Sequence, residues 1–247
     1  MKIISKKKFQ DLNNIHAKKM FRDKRFQKNA INLLVLADKK FRWVHQSNWM
    51  GEPMLNTPQD IIATQEIIFN TKPDYIIETG IAWGGSILFL ASMLKIAGGK
   101  KVIGIDTYLP NSVKKAISKH INLKKYIHLI NGDSTSPDVV KEVKKILNDS
   151  KKVLIILDSN HTHQHVLDEL KIYSEFVKKN NYIICGDTIV EFIPKQKHRP
   201  REWGPGNNPF TALKEFLRKN KRFKIDEKIN NKLLLTCHPK GYLIAKT

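Results

Sequence analysis

Five carboxylates recur at equivalent places in this 247-residue chain: Glu78, Asp106, Asp133, Asp158 and Asp187. Each stands at or just beyond the end of a short apolar run, namely Tyr75–Thr79, Lys101–Asp106, Tyr126–Ile130, Val153–Leu157 and Tyr182–Cys185. Acids gathered in one place are costly to bury unless they meet hydroxyls, amines or a cation. The first turn narrows the ligand. It reads Gly80-Ile-Ala-Trp-Gly84-Gly85-Ser86, which is not the Gly-x-Gly-x-x-Gly that receives a pyrophosphate. Glu78 beside it repels phosphate and suits an ammonium. Asp106 suits a pair of ribose hydroxyls, and Asp133 with Ser134 suits an adenine edge. Amino acid, ribose and adenine together describe S-adenosylmethionine.

Asp158 and Asp187 predict a second centre. Ending adjacent strands, two carboxylates converge and need a cation or a proton between them. Oxygen donors favour Mg²⁺ or another hard divalent cation. Such an ion lowers the pKa of a hydroxyl and fixes its oxygen, which suits an alcohol as methyl acceptor. Histidines follow at once, in Asn160-His161-Thr162-His163-Gln164-His165. His161, three residues beyond Asp158, is read as the general base for that hydroxyl. The turn-apart pair His161 and His165 is the alternative, as zinc ligands, and an exposed helix start is the plainest reading.

These residues need a frame. Apolar strands separated by helices predict an α/β fold, a doubly wound Rossmann-like sheet, mostly parallel, with helices on both faces. The carboxyl ends of its strands line the ligand crevice. Helices are expected over Pro58–Asn70, Ile87–Ile96, Pro137–Asn148, Thr162–Lys179 and Phe210–Lys219, with Thr57-Pro58 a strong start signal. Phe223–Asp226 and Leu233–Cys237 are expected to close the sheet with antiparallel C-terminal strands. Residues 1–57 read as a basic helical extension, helical over 8–43 and anchored by Trp43, Trp49 and Met50; residues 58–247 read as the catalytic domain. Trp83 and Trp203 are assigned to packing. Residues 191–209 form a Pro/Gly-rich loop, on which Lys195, Lys197, His198, Arg199 and Arg201 are placed to hold anionic groups of an acceptor.

The net charge of +21 is uneven. Residues 1–48 carry 13 Lys/Arg against 3 Asp/Glu, and residues 191–247 carry 14 against 5, while the 142 residues between are nearly neutral. Basic flanks fit an anionic acceptor or peripheral contact with a membrane surface; a lysine-rich proteome bias is the plainer explanation. The N-terminus lacks the apolar stretch of a secretory signal, and two cysteines make no disulfide framework, so a cytoplasmic location is expected. The apolar punctuation of the extension suits packing on its own core or on a second copy in a homo-oligomer.

Several motifs together are similar to the cephalosporin hydroxylase family: Trp49-Met-Gly51-Glu-Pro53, Lys72-Pro-Asp74-Tyr-Ile-Ile-Glu78-Thr-Gly80 with Trp83-Gly-Gly-Ser86, Val102-Ile-Gly-Ile-Asp106, Gly132-Asp-Ser134, Leu157-Asp-Ser-Asn-His161, Val166-Leu-Asp-Glu-Leu170-Lys-Ile-Tyr173, Gly186-Asp-Thr188 and His238-Pro-Lys-Gly-Tyr-Leu243. The likeness spans residues 49 to 247. That family resembles S-adenosylmethionine-dependent methyltransferases in fold and includes sugar O-methyltransferases. The resemblance implies cofactor contacts at Glu78, Gly80, Gly84, Ser86, Asp106 and Asp133, metal ligands at Asp158 and Asp187, and as acceptor a sugar hydroxyl of a polysaccharide, glycolipid or antibiotic-like metabolite. Two positions depart. The antibiotic-biosynthesis member has an acid where this chain has Gly186, leaving the metal one ligand short for water or Thr188 to supply. Catechol-type enzymes, more distant, have a lysine where this chain has His161 and an amide at Thr188.

Two other functions compete. The charge fits a nucleic-acid methyltransferase, but no Asn/Asp-Pro-Pro-aromatic motif and no Pro-Cys nucleophile is present. A non-catalytic, cofactor-binding interaction protein also fits the flanks. An iron oxygenase, which the family's name evokes, would need a His-x-Asp/Glu pair that the sequence lacks.

Overall fold

A computed structural model describes residues 4–150, 152–195 and 200–247. Lys197, His198 and Arg199 of the basic loop lie outside the described residues. The extension forms α1 (Lys6–Arg22) and α2 (Lys24–Phe41), broken at Asp23, whose side chain caps α2. A small hairpin follows, β1 (Asn48–Trp49) and β2 (Glu52–Pro53), then α3 (Pro58–Thr71). Thr57 caps α3 and Pro58 fills its first turn, where a missing N–H does no harm. The alternating part runs β3 (Tyr75–Thr79), α4 (Gly85–Ala97), β4 (Lys101–Asp106), α5 (Asn111–Lys119), α6 (Ile121–Lys124), β5 (Ile127–Asn131), α7 (Pro137–Leu147), β6 (Val153–Leu157), α8 (His163–Ser174) and β7 (Tyr182–Cys185). It ends with α9 (Pro209–Lys219), β8 (Phe223–Ile225), α10 (Glu227–Asn230) and β9 (Tyr242–Ala245).

The seven-stranded sheet has the order β5-β4-β3-β6-β7-β9-β8. Strands β3 to β7 pair in parallel, and β9 is antiparallel to β7 and β8. Chain order reverses between β3 and β6, the switch point that opens a crevice at the carboxyl ends. Alternate side chains enter opposite layers. Ile77, Ile103 and Ile155 pack with Leu170, Tyr173 and Phe216 on one face; Ile76, Val102 and Leu154 pack with Ile67, Leu88 and Leu94 on the other.

The C-terminal strand differs from expectation. Leu233–Cys237 is not a strand; β9 is Tyr242–Ala245, and β8 lies parallel to β7. The reason is that α3 takes the backbone donors of that segment. Gln59 Oε1 accepts from Leu234 N and Leu235 N, and buried Asp60 accepts from Cys237 N at 2.8 Å, the Tyr242 hydroxyl at 2.8 Å and the Thr236 hydroxyl. The helix expected over Ile87–Ile96 is present and spans Gly85–Ala97, whereas the one expected over Thr162–Lys179 is shorter, His163–Ser174. Trp49 does anchor the hairpin, donating from Nε1 to Ser92 Oγ at 3.2 Å and meeting Phe89 edge-on. Met50 is exposed.

Asp60 holds the 236–238 segment, and that segment reaches the crevice: His238 Nδ1 accepts from Asp187 N at 3.0 Å. Asp60→Ala would leave several buried donors without an acceptor. We expect about 2–4 kcal/mol of lost stability, read from the urea midpoint. An unchanged midpoint would mean that water replaces the carboxylate.

Candidate active site

The carboxyl ends of β3, β4, β6 and β7 open into a cavity of about 1440 Å³. Its lining includes Gly80, Ser86, Asp106, Asp133, Ser134, Asp158, His161 and Asp187.

The glycine turn is built by close approach. Gly80 has φ +84°, and a Cβ there would stand 2.2 Å from the Asp158 carbonyl oxygen. Gly84, at φ +91°, starts α4 with no side-chain cap, so the first amides of α4 have no side-chain acceptor at that cap. Asp106 staples the turn to its strand: Oδ2 accepts from Ile81 N at 2.8 Å and Oδ1 from Tyr108 N at 2.9 Å. Asp133 Oδ1 accepts from the Thr135 amide and hydroxyl, both at 2.7 Å, and these bonds hold its pKa below the ordinary value. Glu78 and Gly84 do not line the cavity directly. Glu78 is buried beneath Ser86, whose hydroxyl donates to it at 3.0 Å. Burial pushes the Glu78 carboxyl well up; the Ser86 bond opposes this, and Asp158 and Asp106 add to it. Ser134 is turned toward Glu169, to which its hydroxyl donates at 2.6 Å.

Asp158, His161 and Asp187 meet at the cavity floor, with one donor atom of each within 4.8 Å of the others. His161 Nδ1 is 3.1 Å from Asp187 Oδ2, and Nε2 is 3.9 Å from Asp158 Oδ1. Asp158 Oδ1 and His161 Nδ1 are buried with no well-directed hydrogen bond. Burial first, then the facing Asp187, raises Asp158 to about 6. For His161, burial acts to lower the value, but the charges of Asp187 and Asp158 outweigh it and lift the imidazole to about 9. An orphaned carboxylate oxygen between a second acid and an imidazole is a donor set that fits a divalent cation.

Gly186 has a reason in this geometry. A Cβ at that position would stand 2.4 Å from Asp158 Oδ1 and 2.8 Å from the Leu157 carbonyl oxygen. The missing acid is therefore replaced by space for Asp158, and the third donor within reach is His161. Thr188 does not fill in: it is fully buried and donates to Pro239 O at 2.8 Å. The alternative zinc pair is not assembled either. His165 Nε2 lies 3.2 Å from Ser134 Oγ and 3.1 Å from Ser159 Oγ, in a network with Glu169, and is not part of the His161 cluster.

The two tryptophans assigned to packing line the cavity instead. Trp83 is 59 % exposed. Trp203 stacks on His161, ring centroids 5.1 Å apart and planes 23° off parallel. Sequence reasoning also missed the contribution of α2 and its C-cap: Leu34, Val35, Lys39 and Arg42 line the cavity. Leu34 is held there by Ile189 and Cys237. The exposed Phe26 and Leu33 gave the same apolar pattern, so periodicity alone did not separate the inward face.

The family described as rhamnosyl O-methyltransferase/CmcI matches residues 41–246. The chain belongs to this family. Its curated relatives include a rhamnosyl O-methyltransferase of Mycobacterium tuberculosis, 26% identical over 218 residues, covering 85% of this chain and 84% of that one. That of Mycobacterium leprae is 27% identical over 220 residues, covering 85% and 91%. A solved CmcI structure with Mg and SAM superposes with a TM-score of 0.56 at 19% identity, over 82% of this chain and 78% of that one, and shares the fold. Among the described residues, no helix is long and apolar enough to cross a membrane.

Proposed function

We propose that this family member is an S-adenosylmethionine-dependent, divalent-metal-assisted O-methyltransferase acting on a sugar hydroxyl, in the cytoplasm. The observation that carries the reading is the juxtaposition, in one cavity, of the acid-lined glycine turn and the Asp158–His161–Asp187 cluster. The names of the relatives, which specify methylation of a rhamnosyl group, support the acceptor class. Residues 1–57 act as an extension that walls the acceptor side, and residues 58–247 as the catalytic domain.

On this reading the cofactor supplies an electrophilic methyl group, and Mg²⁺ held by Asp158 and Asp187 supplies Lewis acidity toward the acceptor oxygen. The chain does the rest. Asp106 and Asp133 orient ribose and adenine while Ser86 and Gly84 shape the turn. Glu78, buried beneath the turn, acts on the cofactor through Ser86, whose hydroxyl it orients. His161 accepts the proton of the acceptor hydroxyl. Its ring is held by Trp203, and a cation held by Asp158 and Asp187 would offset the charges that raise the imidazole, leaving its lone pair free for the proton.

That last step gives a signed pH prediction. Below about 9 the imidazole holds a proton in the metal-free protein, and this proton competes with the ion. Metal affinity should therefore rise with pH up to about 9, and fall further as Asp158 protonates below about 6. Near neutral pH, close to one proton should leave for each ion bound, as read by calorimetry in two buffers of different ionisation enthalpy. No proton release would contradict the coupling of the His161 proton to the ion. The function itself is tested by transfer of a labelled methyl group from the cofactor to rhamnose-containing acceptors with and without Mg²⁺; absence of transfer to any sugar hydroxyl would overturn it.

A further inference from the structure

Beyond the cofactor and metal residues, the cavity changes sign. The strand ends bring Asp106, Asp133, Asp158 and Asp187 to its lining, whereas α2 with its C-cap and the 191–209 loop bring Lys39, Arg42, Lys195 and Arg201. None of these four cations is in an ion pair among the described residues. Asp38, the acid that α2 adds to the lining, is engaged by the segment after the helix: Oδ1 lies 3.2 Å from His45 Nδ1 and accepts from Val44 N at 3.3 Å.

Two of the cations are held in place by the fold. The Arg201 guanidinium carbon sits over the Trp203 ring at 5.2 Å, and Trp203 stacks on His161 at 5.1 Å, so the guanidinium stands no more than about 10 Å from the His161 ring. A guanidinium held over a ring by the cation–π attraction has no hydrogen-bond acceptor there, and its N–H groups remain for an anion. Arg42 ends α2 in the left-handed region, at φ 53°, a position that glycine fills without strain and where a side chain costs about 1 kcal/mol. Lys72 closes α3 in the same conformation, but Arg42 is the one of the two whose side chain belongs to the cavity lining.

We infer that the acceptor is an anionic saccharide, whose phosphate or carboxylate is held by Arg42 and Arg201 with Lys39 and Lys195 while its hydroxyl faces His161. The bound of about 10 Å between Arg201 and His161 accommodates one hexose ring and its substituent. This inference rests on the methyl-transfer reading and sharpens its substrate class.

The test is calorimetric titration of protein saturated with S-adenosylhomocysteine and Mg²⁺. The probes are glucose, glucose 1-phosphate and glucuronate. At least one anionic sugar should bind about tenfold or more tighter than glucose, with the preference shrinking at about 0.5 M salt. The stronger of the two identifies phosphate or carboxylate as the recognised group. Arg42→Gly and Arg201→Gln should each reduce the preference about threefold or more and leave S-adenosylhomocysteine affinity unchanged. Arg42→Gly relieves the backbone strain, so it should also retain or raise the Tm, which separates lost recognition from lost folding. Equal binding of the three sugars, or none, would overturn the inference. So would loss of S-adenosylhomocysteine affinity in the variants, which would assign the cations to the cofactor's own carboxylate. Failure of the unmodified protein to bind S-adenosylhomocysteine is a separate result, and would overturn the methyl-transfer reading beneath it.

Discussion

Replacing His161 by alanine is expected to lower kcat about 10²–10⁴-fold, the range for a positioned general base, with S-adenosylhomocysteine affinity unchanged. The magnitude distinguishes two explanations. His161 also stacks on Trp203, but an aromatic contact is worth only about 0.5–1.5 kcal/mol, or roughly tenfold. A loss of a hundredfold or more therefore needs the proton transfer itself. The split between constants adds a second check, because a merely structural histidine would raise KM for the acceptor along with any fall in kcat. A variant that retained a tenth of the activity would move the base elsewhere and leave His161 as a ligand or a packing group.

Gly186→Ala is expected to weaken metal binding about 10–100-fold, as removal of the support around a metal ligand does. One carbon is enough. It would stand 2.4 Å from Asp158 Oδ1 and 2.8 Å from the Leu157 carbonyl oxygen, and a strand-end carbonyl has little freedom to yield. Asp158 must rotate away, or β6 and β7 must part at their ends with about 1–3 kcal/mol of lost stability. Cofactor affinity measured without metal should be unaffected, since the glycine turn lies across β6 from this contact. The same geometry predicts that Gly186→Glu, which inserts the acid of the antibiotic-biosynthesis member, fails to complete the metal site. Wild-type metal affinity in Gly186→Ala would show that Asp158 adopts another rotamer when it binds.

Much of this was legible in the residues, for physical reasons. Consecutive apolar runs such as Val153–Leu157 have one stable use, as strands covered on both faces, and the acid ending each run marks the crevice. Asp158, His161 and Asp187 were readable because parallel strands β6 and β7 bring equivalent positions together. What failed depended on partners distant in sequence. Leu233–Cys237 has strand-like composition, but Gln59 and Asp60 of α3 take its backbone donors. Thr188 has a metal-capable oxygen, yet it faces Pro239. Trp203 sits in a Pro/Gly-rich stretch without periodicity, and nothing local signals its stack on His161. Gly186 looked like a missing ligand because a sequence reports the absent carboxylate and not the space that Asp158 occupies.

The most direct measurement is calorimetric titration of S-adenosylhomocysteine into the unmodified protein, Asp106→Ala and Asp158→Ala, with and without Mg²⁺. The account predicts binding by the unmodified protein in both conditions, loss of about tenfold or more in Asp106→Ala, where a charge-assisted hydrogen bond and the staple of the glycine turn both disappear, and retention in Asp158→Ala with no response to Mg²⁺. Absence of binding by the unmodified protein would contradict the account at its centre, because the acid-lined glycine turn would then have another ligand.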